Sequence, residues 1–207
     1  RGRERERGFH HDASVNNDNT SDDNSNKGQK RERFGSPICM DDHKNIWNAT
    51  LIPNLQRARC GHASVTTFED HIVTVGGYAG GSDYLSCGEV LYSGSDQWQY
   101  LPENMHERRT GAAICLGPSN EIIVAGGSRD GTQVHRTVER LDLRVGTWDF
   151  LPPMNAPRSY TTGCVTKEGK FYVGSGIGSE DYTHSDSFDV YCFKTNKWTL
   201  LSQEELC

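Results

Sequence analysis

Residues 148–198 read WDFLPPMNAPRSYTTGCVTKEGKFYVGSGIGSEDYTHSDSFDVYCFKTNKW. The stretch begins and ends on tryptophan, and between them it is laid out as short strands. A run of small and apolar residues, Thr162–Thr166, meets a turn at Glu168-Gly169. Lys170–Val173 follows, rich in aromatic and β-branched side chains that suit a pleated surface. After a glycine-rich turn and a polar loop comes an alternating run, Phe188-Asp189-Val190-Tyr191-Cys192-Phe193, and Trp198 opens the last strand. No segment carries the 3.6-residue period of a helix.

Moving outward, the same layout recurs. The four tryptophans of the chain stand at 47, 98, 148 and 198, spaced by 51, 50 and 50 residues. Ile52-Pro53, Leu101-Pro102 and Leu151-Pro152 follow the first three. Arg59, Arg109 and Arg158 come next, and Gly76-Gly77 and Gly126-Gly127 close apolar runs where the third unit has Ser175-Gly176. Glu89, Glu139 and Asp189 each precede a tryptophan by nine residues. The matching strands are Ala63–Phe68 and His71–Val75 in one unit, Ala112–Leu116 and Ile122–Ala125 in the next. Four-stranded units repeated at this period read as the blades of a β-propeller.

Each mark has a physical reason. Glycine reaches positive φ without penalty and lets neighbouring backbones approach, so the double glycine suits a sharp turn at a strand end. Tryptophan offers a large apolar surface for packing one twisted sheet on the next. The recurring arginine is a fork of donors, suited to bonding backbone carbonyls around the ring. The turn in the third unit is expected to be altered where Ser175 replaces glycine.

Composition sets the outer bounds. With 34% apolar and 24% charged residues and no apolar run long enough to span a bilayer, the expectation is no membrane partner. A net charge of −6 argues against nucleic acid, which wants a basic face. The seven cysteines (39, 60, 87, 115, 164, 192 and 207) are odd in number and contain no CxxC pair. Cys115 and Cys164 lie in strand-like runs, so the cysteines read as free, mostly buried thiols in an intracellular protein, cytoplasmic by expectation. Residues 1–35 hold few large apolar side chains and read as a disordered tail. Lys27–Arg33 is the stretch there that could act as a nuclear address. His10-His11 has no third ligand nearby, and no metal or other cofactor is expected.

The repeated marks resemble the kelch family, whose pattern runs PR-x-G, GKIYVIGG, VE-x-Y-D and W-x-x-L-P. Pro157-Arg158-Ser159, Gly169-Lys170-Phe171-Tyr172-Val173 and Thr195-Asn196-Lys197-Trp198 carry the likeness best, and it covers about residues 37–201. The resemblance implies an all-β, kelch-type propeller fragment of four-stranded antiparallel blades. Its expected layout is a tail (1–35), a half blade (36–53), three repeats (54–102, 103–152 and 153–201) and a short end (202–207). In the half blade, Ile38-Cys39-Met40 and Trp47 stand for the last two strands. Because the chain begins with Arg1 and three and a half blades do not close a ring, further blades are expected in a longer protein.

By the same resemblance, the face built from the loops after the double glycines and from the residue after each motif arginine binds a protein partner. It is expected to comprise Cys60, Tyr78, Tyr84, Thr110, Ser128, Arg129, His135, Ser159, Ile177, Tyr182 and His184. The family includes substrate adaptors of ubiquitin ligases, joined to BTB or F-box domains, and actin-binding proteins. A copper enzyme like galactose oxidase is the catalytic alternative, but no convergent Tyr/His site, nucleophile elbow, phosphate loop or HExxH motif appears. The reading is a binding module and not an enzyme.

Overall fold

A computed structural model of the chain describes residues 53–178 and 184–201. Among these there is no helix, and the twelve strands fall into three four-stranded antiparallel sheets. The first holds β1 (Ala63–Thr66), β2 (Ile72–Val75), β3 (Gly88–Leu91) and β4 (Gln99–Tyr100). The second holds β5 (Ala113–Leu116), β6 (Ile122–Ala125), β7 (Val138–Asp142) and β8 (Thr147–Leu151). The third holds β9 (Thr162–Val165), β10 (Lys170–Gly174), β11 (Phe188–Cys192) and β12 (Lys197–Leu201). Each sheet is a simple meander in which consecutive strands pair. The tail, the half blade with Trp47, and Tyr182 lie outside the described residues.

The strands match the apolar runs to within a residue or two. The fourth strand does not start on its tryptophan, however: β4 begins after Trp98, while β8 and β12 begin one residue before theirs. The left-handed residues that reverse the β1–β2, β5–β6 and β9–β10 hairpins are Asp70, Asn120 and Gly169. Asp, Asn and Gly are the residues that tolerate that conformation.

The three sheets stack through alternate faces of their strands. Side chains along a strand point to opposite faces in turn. In β6, Ile122 and Val124 join Val73, Val75 and Val90 of the first sheet, and Leu101 just after it, in one apolar cluster. Ile123 and Ala125 join Phe171, Val173 and Tyr191 of the third sheet in another. The second sheet is therefore covered on both faces, which is why β6 is buried at every position. Trp98 and Trp148 are buried, at 7% and 4% exposure. Their indole N–H groups donate to the carbonyls of Pro53 (2.9 Å) and Glu103 (3.2 Å), so each outer strand clasps the segment that leads into its own sheet. Trp198 repeats this contact to Pro152 at 2.7 Å.

The double glycines answer to the neighbouring sheet. Gly77 and Gly127 donate N–H bonds of 2.7 Å to the carbonyls of Arg109 and Arg158, each in the following repeat. A side chain on Gly76 or Gly126 would place its Cβ 2.3 or 2.4 Å from those carbonyl oxygens. Glycine is thus required by close approach as well as by φ values of 67° and 70°. The third unit keeps the turn. Ser175 adopts a φ of 61° and Gly176 one of 97°, so the expected alteration at that site does not occur.

Candidate functional site

The loop end of each sheet is anchored by its motif arginine. Arg59, Arg109 and Arg158 have fully buried side chains paired with Glu89 (2.6 Å), Glu139 (3.0 Å) and Asp189 (3.0 Å). Each guanidinium also reaches the base of the double-glycine loop. Arg59 donates to the carbonyls of Gly76 and Cys87, and Arg109 to those of Gly126 and Thr137. Arg158 donates to the Ser175 carbonyl and to the hydroxyls of Ser185 and Ser187. The carboxylates complete the tie by accepting backbone N–H bonds from the leading segment: Gln56 to Glu89 and His106 to Glu139 at 2.6 Å, Asn155 to Asp189 at 2.9 Å. The shorter Asp189 accepts a further bond from the Asn155 side chain at 2.8 Å. Burial pulls the Arg109 pKa down, while Glu139 and Glu107 oppose that and hold the charge in place. The motif arginines are structural: they fix the loops and do not present themselves to a ligand.

On this base the expected face residues pair through their backbones. Cys60 and Tyr78 exchange N–H bonds of 3.0 and 2.8 Å, Thr110 and Ser128 bonds of 2.9 and 2.8 Å, Ser159 and Ile177 bonds of 2.9 and 2.7 Å. Tyr84 and His184 bridge onto Tyr78 and Ile177 as the next rung, whereas in the second sheet Val134 holds that place rather than His135. Neighbouring repeats are stitched together: Gly111 N–H bonds the Gly61 carbonyl at 2.8 Å and Thr161 N–H bonds the Gly111 carbonyl at 3.3 Å.

The exposure of these residues divides the expected set. Cys60, Arg129 and His184 are exposed, and Tyr78, Tyr84, His135 and Ile177 are half-buried. Thr110, Ser128 and Ser159 are not surface residues; their exposures are 4%, 1% and 2%. The third repeat packs on the second here, the Ser159 hydroxyl lying 3.5 Å from the Thr110 carbonyl, so these residues position the loops from behind. The expectation of mostly buried thiols also needs correction, since Cys60 and Cys164 are exposed and only Cys115 is buried among the described cysteines.

The face is held rigidly. The rings of Tyr78 and Tyr84 lie 5.0 Å apart, and the Tyr78 hydroxyl donates to the Gly81 carbonyl at 3.0 Å. A Cβ on Gly131 of the next loop would lie 2.8 Å from the Tyr84 hydroxyl, so the two loops are in contact. Asp130 folds its loop by accepting N–H bonds from Thr132 and Gln133, and these hold its carboxyl down at about 2. Three residues beyond the sequence-based set belong here. Tyr160 is 63% exposed with a left-handed φ of 51°, where the other repeats have Gly61 and Gly111. Arg57 pairs with Asp83, and Glu107 contacts His135. Tyr160 was detectable in the sequence as a break in the Arg-x-Gly spacing; Arg57 and Glu107 carried no signal of their own. Among the described residues no group of three or more His, Cys, Asp and Glu side chains is placed to hold a metal ion.

Comparison with known proteins agrees with this architecture. The Kelch motif family model matches residues 59–105 and 109–155. The chain is 34% identical over 111 residues to Kelch-like protein 21 of Danio rerio, covering 53% of this chain and 18% of that protein. It is 30% identical over 129 residues to Kelch-like protein 11 of Mus musculus, covering 62% of this chain and 17% of that protein. The matches therefore span less than a fifth of the length of these relatives. The solved structure of YjhT matches with a TM-score of 0.61 over 72% of this chain and 53% of that one, at 15% identity, a likeness of fold. Two matched Kelch motifs and three antiparallel four-stranded sheets in register mark the described residues as kelch repeats folded as β-propeller blades, similar to these relatives.

Proposed function

We propose that this chain is a protein-interaction module that presents its double-glycine loops to a partner protein. The observation that carries the reading is the backbone-bonded ladder of Cys60, Tyr78 and Tyr84, which holds two packed tyrosine rings at the loop end of the first sheet beside the exposed Arg129 of the next loop. Tyrosine and arginine on a rigid scaffold are the residue types that dominate binding energy at protein interfaces. The finer reading, by family resemblance, is the substrate-recognition part of an intracellular ubiquitin-ligase adaptor, with further blades supplied by a longer chain. Actin binding is the alternative role. Catalysis is not proposed, and one equivalent of bound copper by elemental analysis would overturn that.

The test is crosslinking followed by affinity measurement. A photo-reactive residue at position 84 should capture a partner, and one at Val145, on the turn at the opposite end of the second sheet, should not. With the purified partner, Tyr78→Ser combined with Tyr84→Ser should weaken binding by about tenfold or more while leaving the circular dichroism unchanged. Equal capture from both positions, or unchanged affinity in the double variant, would place the partner elsewhere.

A further inference from the structure

At the end of the sheets opposite the double-glycine loops, both junctions between the described sheets leave a pocket. The one between the first and second sheets is about 290 Å³ and has an apolar floor of Val73, Val90, Leu101, Leu141 and Leu143. Its counterpart between the second and third sheets is larger, about 480 Å³, and its lining includes Glu121, Ile123, Arg140, Leu151, Tyr191 and Phe193. The decisive change is in β7. Arg140 stands where the other repeats have Val90 and Val190, each one residue after the buried carboxylate that pairs with the motif arginine. Val138, two residues away and so on the same face, belongs to the apolar cluster shared with Phe171, Val173 and Tyr191. An arginine has thus entered a junction that valine fills one blade earlier.

The guanidinium is poorly satisfied there. It is the one cation in the lining. Its Nε is buried without a hydrogen-bond partner, and its one bond among the described residues is a 3.4 Å contact from Nη2 to Asp149. Asp149 stands directly opposite on β8 but is 61% exposed, so water competes for its carboxylate. Glu121, the one carboxylate in the lining, is turned to the backbone N–H of Ser119 at 2.7 Å. The Tyr191 hydroxyl spends its proton on the Asn196 side-chain oxygen. A guanidinium carries five donors, and leaving a buried N–H unpaired costs free energy. What the pocket lacks is an acceptor for Arg140, and beside that lack stand aliphatic Ile123 and Leu151 and the rings of Tyr191 and Phe193.

We propose that this pocket binds a small aromatic carboxylic acid, with the carboxylate on the Arg140 guanidinium and the ring against Tyr191 and Phe193. A carboxylate matches the side-on fork of Nε and a terminal nitrogen through two parallel N–H bonds. Presenting that fork requires the guanidinium to leave Asp149, and an exposed ion pair is worth little. Asp149 therefore holds Arg140 in the free chain and competes with the ligand for it. With Glu121 and Asp149 both close by, a singly charged acid is accepted more readily than a doubly charged phosphate. Apolar walls with one oriented charge are the usual make-up of a small-molecule site, the walls giving affinity and the charge fixing direction. The pocket lies at the other end of the sheets from Tyr78 and Tyr84, so it goes beyond the loop-face reading and neither depends on the other.

The experiment is a titration of the isotopically labelled 207-residue chain with naphthoate near neutral pH, read by amide chemical shifts. Saturable shifts are expected at Arg140, Tyr191 and Phe193 and not at Tyr78 or Tyr84. Naphthamide, which keeps the rings and loses the charge, should bind at least about tenfold more weakly. Arg140→Val places in β7 the residue that the other two repeats carry, so the blade should fold, and naphthoate affinity should fall about tenfold or more. Arg140→Lys keeps the charge but not the fork and should recover only part of the loss. Asp149→Asn removes the competitor and should tighten binding several-fold, a gain that a merely structural ion pair would not give. No saturable shift around Arg140, or equal affinity in Arg140→Val, would overturn the proposal. Weaker binding in Asp149→Asn would overturn it too, since Arg140 would then act only while held by its partner. Inorganic phosphate that displaces naphthoate at equal concentration would reassign the guanidinium to phosphate. An acetylated peptide ending in phenylalanine that binds tenfold more tightly than naphthoate would make the occupant a protein C-terminus and end the small-molecule reading. Tyr78→Ser with Tyr84→Ser should leave naphthoate binding unchanged, so failure here and failure of the loop face are read separately.

Discussion

The second and third blades are near-copies in sequence, yet their equivalent positions have different fates. Trp148 is buried where Trp198 is half-exposed. Cys115 is buried, its thiol pushed far up by desolvation, where Cys164 is exposed. Gly126 is followed by Ser175 one repeat later, and Gly111 by Tyr160. By contrast, Arg158–Asp189 is as fully buried as Arg109–Glu139. The difference teaches which marks of the repeat serve the blade itself and which serve the neighbour. The arginine–carboxylate tie closes a blade on its own leading segment and persists in both. The first glycine depends on a following sheet, and among the described residues the third blade has none; Trp148 instead lies in the apolar cluster that the second sheet shares with the first.

That comparison can be broken by parallel substitutions. The largest difference is expected at the tryptophans. Trp148→Ala should cost about 3–5 kcal/mol in denaturant unfolding, as for a deleted core aromatic. Trp198→Ala should cost about 1–2 kcal/mol, because part of its surface already meets water. Equal losses would mean that the third blade is enclosed as fully as the second. Next come the turn positions. Gly126→Ala must hold a left-handed backbone and thrust its Cβ into the Arg158 carbonyl, for about 2–5 kcal/mol in total. Ser175→Ala changes neither the φ requirement nor the packing and should stay within about 0.5 kcal/mol. A mild Gly126→Ala would show that the two blades can separate there at little cost.

The sequence revealed the repeat more completely than the site. Strand positions such as Ile122–Ala125 are written in local alternation, and the tryptophan spacing carries the sheet count, so both are visible along one chain. The pairing of Arg109 with Glu139 was not readable, although both residues were seen to recur. A shared period says that two positions are equivalent between repeats and nothing about which meet in space. Thr110, Ser128 and Ser159 were assigned to the surface because their positions follow loop marks. Contacts between neighbouring blades some fifty residues apart contribute to their burial, as in the Ser159 hydroxyl bond to the Thr110 carbonyl. The pocket beside β7 joins Arg140 to Tyr191 and Phe193 across two sheets, and no spacing rule reports such a meeting.

One expected effect has the opposite sign. Tyr160 holds a φ of 51° at the position where Gly61 and Gly111 have 62° and 66°. A left-handed conformation costs an L-residue about 1–2 kcal/mol because its Cβ crowds the following carbonyl oxygen. The side chain recovers little of that from burial, since it is 63% exposed, though its Cδ1 would lie 3.2 Å from a Cβ on Gly111 and so packs on that backbone. Tyr160→Gly should therefore stabilise the chain, by up to about 1 kcal/mol after the extra freedom of glycine in the unfolded state is subtracted. Tyr160→Ala separates the backbone from the ring. Alanine suffers the same crowding and loses the packing on Gly111, so it should give no gain. If alanine stabilises as much as glycine, the tyrosine ring and not the left-handed backbone is the source of the cost. If neither variant raises the unfolding midpoint, the ring contact with Gly111 outweighs the strain, and the third blade has adapted to Tyr160 rather than tolerated it.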